Sequence, residues 1–241
     1  MKTKHTKQTL RSLLMLLSLM LTFSMVNAQE VKFERPDYAS IKAEITDSTS
    51  AYFYPGLISR FESYDSTLTL QDYRHLYYGY IYHADYEPYR KSKHDNNLHN
   101  LLQSEKNAES DFNQIIESLT ASIDEFPFDI RKMLLLINIY QQKGDKDMVR
   151  KEAARFYGII GAIFSSGNGV ICETGFHVIS PGHEQIILNL CHLKFKSQSL
   201  IGDCDYLEVE ENSHHIKGLY FNIREMFRQT EPSHSSPDNL Q

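Results

Sequence analysis

The chain has 241 residues, with 25 Lys and Arg against 31 Asp and Glu, 41% hydrophobic and 23% charged residues, 3 Cys and no Trp. That balance can bury a core, so it excludes a disordered chain, a collagen-like or coiled-coil rod and a disulfide-dense mini-domain. A formal charge of −6 without a basic cluster argues against nucleic acid as a partner, because binding there rests on neutralising phosphates.

Lys2, Lys4, Lys7 and Arg11 form a positive head, followed by an uncharged run from Leu13 to Val26. A membrane-spanning helix needs about 20 apolar residues. The run is shorter than that and ends in Val26-Asn27-Ala28, so residues 1–28 read as a signal peptide cut between Ala28 and Gln29. This predicts a periplasmic or secreted protein with no membrane anchor in the mature chain. Cleavage would leave 21 basic and 31 acidic residues, a charge of −10. In an oxidising compartment Cys172, Cys191 and Cys204 offer three possible disulfide pairs, among which the spacing does not choose, and they fit no zinc signature.

Residues 37–64 read as two helical pieces, capped by Asp37 and broken or reopened at Pro55. Thr69 with Asp72 resembles a capping box for a helix carrying Tyr73, Leu76, Tyr77 and Tyr80 at helical spacing. Residues 83–97 are polar and read as a loop. Three apolar stripes follow: Phe112, Ile115, Ile116, Leu119 and Ile123; then Ile130, Met133, Leu134, Ile137 and Tyr140; then Val149, Ala153, Phe156, Ile160 and Ile163. Pro127 ends the first helix, Gly144 stops the second, and Asp145 caps the third. A two-residue connection forces the second and third to fold back as an antiparallel hairpin. This hairpin resembles a tetratricopeptide repeat, with Pro127, Leu136, Tyr140, Gly144 and Asp145 on matching positions. Ile137 and Ala153 depart from that pattern.

After Ser165 the period changes. Gly167-Asn168-Gly169 signals a turn, 176–179 a strand, and Pro181-Gly182 a break before a short helix from His183 to Leu193. Residues 206–210 and 217–223 alternate like strands. The expected fold class is α+β: mainly antiparallel helices with tetratricopeptide-like packing, plus a small C-terminal antiparallel sheet. One mature domain is expected over 29–228, helical over 37–164 and sheet-containing over 170–225, with a disordered tail at 229–241.

Several segments are distinctive. They are Tyr54-Pro55-Gly56-Leu57 with Arg60, Asp65-Ser66-Thr67-Leu68-Thr69, Tyr73-Arg74-His75-Leu76-Tyr77-Tyr78-Gly79, Ser165-Ser166-Gly167-Asn168-Gly169, His183-Glu184, Asp205-Tyr206-Leu207 and Leu219-Tyr220-Phe221-Asn222. Together they resemble a family of secreted Bacteroidetes proteins known as a domain of unknown function, over about residues 36–223. The resemblance implies export and a single domain. It implies no activity and no catalytic residue.

The candidate chemistry is sparse. His183-Glu184-Gln185-Ile186-Ile187 begins like the zinc-protease motif, but Ile187 stands where the second ligand must lie, and an apolar side chain cannot bind zinc. Cys172 and His177 sit five apart, on opposite faces if on one strand, and make a poor nucleophile–base pair. His94, Asp95 and His99, and His214-His215, match no ligand spacing. No cofactor, metal or catalytic residue is therefore assigned. Eleven of the 15 Tyr fall between Tyr38 and Tyr89. Tyr73, Tyr77 and Tyr78 with Arg60 and Arg74, and Asp72 nearby, form a candidate ligand surface, since aromatic rings stack on sugar C–H faces and polar groups meet the hydroxyls. Asp47-Ser48-Thr49 and Asp65-Ser66-Thr67 resemble the acceptor triplets of Bacteroides O-glycosylation, at Ser48 and Ser66. The first expectation is a non-enzymatic interaction module with an envelope or secreted protein partner. The alternative is a glycan or small-ligand binder using residues 52–89, and a Cys/His hydrolase stands behind both.

Overall fold

The computed structural model describes residues 33–103 and 109–228. The expected signal peptide, 1–28, and the expected disordered tail, 229–241, lie outside the described residues. Helix α1, Tyr38–Thr46, starts where the Asp37 carboxylate accepts from the amides of Ala39 (3.1 Å) and Ser40 (3.0 Å). Helix α2, Tyr54–Glu62, carries Pro55 in its first turn, where a missing amide costs nothing. Helix α3, Leu70–Gly79, opens on a complete capping box between Thr69 and Asp72 and runs into a 3₁₀ turn, Tyr80–Tyr82. Helix α4, Asp95–Gln103, begins inside the segment that reads as a loop from sequence. Only Leu98 is buried on it, so its apolar face is too narrow to announce itself.

Helices α5, Glu109–Glu125, α6, Ile130–Lys143, and α7, Lys146–Phe164, follow. Gly144 ends α6 at φ 78°, a left-handed conformation that glycine adopts without a Cβ penalty. The Asp145 side chain then caps α7 through the Met148 amide (3.1 Å). With two residues between them α6 and α7 pack side by side. Ile130, Met133, Leu136, Ile137 and Ile139 of α6 and Phe156, Ile159, Ile160 and Ile163 of α7 are buried. Each such side chain contributes roughly 1.5–3 kcal/mol on leaving water. Helix α3 also lies against α7, where the Tyr73 ring crosses Gly158 so closely that a Cβ would sit 2.1 Å from it.

The C-terminal third holds β1, Phe176–His177, helix α8, Pro181–Leu190, β2, Phe195–Ile201, β3, Cys204–Val209, β4, Gly218–Asn222, and a last short helix α9, Arg224–Arg228. The sheet order is β1-β4-β3-β2. The protein is thus α+β. The sheet is mixed, which corrects the antiparallel expectation. The chain leaves β1, runs through α8 and the β2–β3 hairpin, and returns as β4 parallel to β1. Strand β2, exposed along its whole length, forms one edge. A disulfide joins Cys172, just before β1, to Cys204 at the start of β3, while Cys191 is a free thiol. Among the described residues no helix is long and apolar enough to cross a membrane.

Candidate functional site, an aromatic and acidic cleft

The tyrosine-rich segment divides into two groups. Tyr73, Tyr77 and Tyr78 point inward: Tyr77 and Tyr78 are fully buried and Tyr73 is 8% exposed. Their hydroxyls act as internal struts. Tyr78 donates to the Ala162 carbonyl (3.0 Å), and Tyr77 accepts from the Ile179 amide (3.3 Å) and meets His183 Nδ1 at 2.7 Å. Arg74 is buried as well. It donates to Ser165 Oγ (2.6 Å) and the Glu34 carbonyl (2.9 Å) and lies over the Tyr78 ring. Arg60 is surface-placed but engaged with Asp65 (2.7 Å) and Asp72 (3.6 Å). In this conformation Tyr77, Tyr78 and Arg74 offer no outward face, and Tyr73 reaches one small cavity beside Tyr64 and Arg155. The stripe that α3 presents is its core face, a distinction that periodicity alone cannot make.

The second group lines a cleft of about 480 Å³. Tyr54 and Pro55 come from the start of α2, Tyr80, Tyr82 and His83 from the 3₁₀ turn after α3, and Pro127 from the α5–α6 connection. The floor stays open because Gly79 has no side chain: a Cβ there would press on Ile45 at 3.1 Å. The Tyr80 and His83 rings stack at 5.4 Å and 14°, with Tyr54 6.1 Å from His83. Glu62, Asp85, Asp124 and Glu125 line the same cleft, with no Lys or Arg lining it among the described residues, and Lys93 pairs with Glu125 at 3.3 Å. Hydrogen bonding by Ser92, with help from Lys93, holds the Glu125 carboxyl below its ordinary range. Burial raises the Tyr54 and Tyr80 phenols above theirs, so both stay protonated. The Tyr54 hydroxyl is buried and meets no hydrogen-bond partner among the described residues. Such a group normally costs ~1–3 kcal/mol unless water or a ligand satisfies it. Flat rings and carboxylate acceptors suit a neutral or positively charged small molecule better than an anion.

The remaining candidates fall into place without forming a catalytic set. Cys172 is in the disulfide and carries no thiol, and burial raises the Cys191 thiol above its ordinary value. A thiol nucleophile at Cys172 is therefore corrected away: its sulfur is covalently taken, and His177 meets Tyr38 (3.3 Å). His183 and Glu184 sit in the first turn of α8, with a buried Ile187 on the next turn. Asp95 pairs with Lys132 (2.7 Å) and His94 lies 3.8 Å from Glu125, while His99, His214 and His215 are exposed. Among the described residues no group of three or more His, Cys, Asp or Glu is placed to hold a metal. Ser48 and Ser66 are exposed, each in a turn closed by the preceding Asp accepting from the amide and hydroxyl of the following Thr.

One buried polar pair escaped sequence reasoning. Glu184 on α8 and Asp205 on β3 are 3% and 8% exposed, and their carboxyls are hydrogen-bonded to each other. Burial, then the Asp205 charge and a hydrogen bond to Asp205, push the Glu184 carboxyl up to about 9. Glu184 is a proton-carrying acid at neutral pH. The Glu in the zinc-protease-like start was the only signal, and it pointed to the wrong chemistry.

A family described as Domain of unknown function (DUF4919) matches residues 39–231. No curated protein and no solved structure matches the chain.

Proposed function

Starting from the fact that the chain belongs to the DUF4919 family, we propose that it is an exported, non-enzymatic binding module whose cleft takes a short neutral saccharide. The carrying observation is the buried Tyr54 hydroxyl, without a hydrogen-bond partner among the described residues, beside a cleft lined by aromatic rings and four carboxylates. His83 and the side of Tyr82 not covered by Lys42 (5.0 Å) supply faces for sugar C–H groups, and Glu62, Asp85 and Asp124 accept from sugar hydroxyls, Glu125 being paired with Lys93 (3.3 Å). Export rests on the basic head and apolar run of residues 1–28, and a secreted Bacteroidetes origin rests on the resemblance over 36–223. Exposed turns at Ser48 and Ser66 favour glycan attachment there, readable as mass-shifted peptides from native protein. Isothermal titration against a panel of neutral saccharides tests the ligand. The expected result is saturable heat that Tyr82→Ala weakens about 5–10-fold, the loss of one stacking ring. Flat titrations across the panel overturn it, and heat with an alkylammonium probe alone transfers the cleft to a cationic ligand.

A second reading, a protein partner, has its own support. The β2 edge presents Phe195, Leu200 and Ile201 at 43%, 66% and 43% exposure, and Val170 and Ile171, next to the disulfide, are 66% and 49% exposed. Unpaired edge groups with apolar side chains suit an added strand. Crosslinking from β2 in the cell envelope should capture that partner. Monomeric behaviour with no crosslinked species counts against it.

A further inference from the structure

A second cavity, of about 560 Å³, opens at the N-terminus of α8 and is lined by residues of opposite charge to those of the aromatic cleft. Helix starts left without side-chain caps attract anions, through free amides and the helix dipole. Here the natural cap is turned away. Ser180 occupies the capping position but makes no cap. Its hydroxyl donates to the Pro88 carbonyl (2.9 Å). Pro181 has no amide to offer, so Gly182 supplies the first one, and a Cβ on Gly182 would approach nothing closer than Ser180 Oγ at 3.8 Å. The backbone is open to a ligand there.

The same bond builds the opposite wall. Ser180 Oγ to Pro88, with Tyr86 donating to the Ile179 carbonyl (2.8 Å), ties the 86–91 segment over the helix start. That segment brings Arg90 and Lys91 to the cavity, and α6 brings Arg131. None of the three has a carboxylate partner among the described residues. Arg90 donates to the Asp85 backbone carbonyl (3.1 Å) and to the Tyr80 hydroxyl. The single lining carboxylate, Asp129, is tied to Lys132 at 3.2 Å.

The independent pointer to a ligand is His183. It is 2% exposed, lines the cavity, and its Nε2 makes no well-aligned hydrogen bond among the described residues. The Tyr77 hydroxyl already accepts from Ile179, so its own proton goes to His183 Nδ1 and Nε2 carries the ring's proton. The Phe128 carbonyl lies beside the ring and accepts from the Ile130 amide (2.8 Å), with a second lone pair toward His183. A buried N–H donor, a free helix-start amide and three unpaired cations converge on one space.

We propose that this cavity binds the phosphate or sulfate group of a small molecule, with His183 Nε2 and the Gly182 amide donating at its base and Arg90, Lys91 and Arg131 enclosing it. The site is separate from the saccharide cleft and stands whether or not that cleft binds sugar. The test uses the full exported chain with sodium sulfate and inorganic phosphate as probes, against sodium chloride at equal ionic strength. Sulfate and phosphate should raise the melting temperature saturably, and chloride should not. Arg90→Gln and Arg131→Gln, both at the solvent side and without a structural ion pair, should each weaken binding about tenfold, as loss of a charge-assisted contact does. Equal melting temperatures in sulfate and chloride overturn the proposal. So does sulfate binding that the Arg90→Gln/Arg131→Gln double variant retains at full strength.

Discussion

The buried Glu184–Asp205 pair makes stability fall with rising pH through the neutral range, a direction opposite to that of most carboxylates. Glu184 keeps its proton in the fold up to about 9, whereas the ordinary value is 4.5. Between those values the folded chain holds one proton more than the unfolded chain, and stability drops by ~1.4 kcal/mol per pH unit. His177 and His183 act the other way below neutrality. Burial lowers them to about 3 and about 4 from 6.5, so the unfolded chain takes up their protons first and stability rises with pH until roughly 6.5. Two rising contributions against one falling contribution place the maximum near pH 6.5, the unfolded histidine value. From there to pH 8.5 the wild-type chain should lose ~2–3 kcal/mol, or about 5–10 °C in melting temperature for a domain of this size. Glu184→Gln keeps a hydrogen-bonding group facing Asp205 but has no proton to lose, so its stability should be level across the same interval. Urea denaturation at half-unit pH steps reads both curves. A wild-type curve that is flat or rising above pH 6.5, or an equal fall in Glu184→Gln, refutes the reasoning.

Three further perturbations separate structure from binding. The Cys172–Cys204 bridge closes a separation of 32 residues, so the double Ala variant should lose about 3–4 kcal/mol by the loop-entropy estimate; denaturant midpoints matching wild type would contradict it. Gly158→Ala drives a methyl into the Tyr73 ring and should cost ~1–3 kcal/mol through overpacking between α3 and α7, seen as a lower midpoint; an unchanged midpoint argues against that close packing. Tyr77→Phe removes the strut between the Ile179 amide and His183 and should cost ~1–3 kcal/mol while leaving saccharide affinity unchanged. Loss of affinity there, with stability intact, would assign the interior tyrosines to the ligand after all.

Much of the helical half was legible because its signals are local. The Asp37 cap, the Thr69–Asp72 box, the Gly144 stop and the Asp145 cap all depend on residues within four positions of one another, and each occurs where the sequence places it. Strand β2 was not legible, because an exposed edge strand needs no alternation of apolar and polar residues. The parallel β1–β4 pairing was hidden for another reason: it joins residues 45 apart through the register Phe176↔Phe221. The tyrosines show the limit most clearly. Their crowding before Tyr89 marks an unusual region, but Tyr73 and Tyr77 face α7 and α8 while Tyr54, Tyr80 and Tyr82 face a cleft made with the α5–α6 connection. That partition depends on helices more than 40 residues further along the chain, and nothing near the tyrosines encodes it. Buried Arg74, Lys132, Glu152 and Glu184 were equally hidden, since a charge reads as surface until its partner is known.

The account turns on the aromatic cleft as the ligand-facing surface. Backbone NMR of the chain during addition of a saccharide that gives calorimetric heat tests this most directly. Amide shifts should concentrate on Tyr54, Gly79, Tyr80, Tyr82 and His83, with Tyr77 and Tyr78 unmoved. Shifts confined to other faces, or none at saturating saccharide, would contradict it.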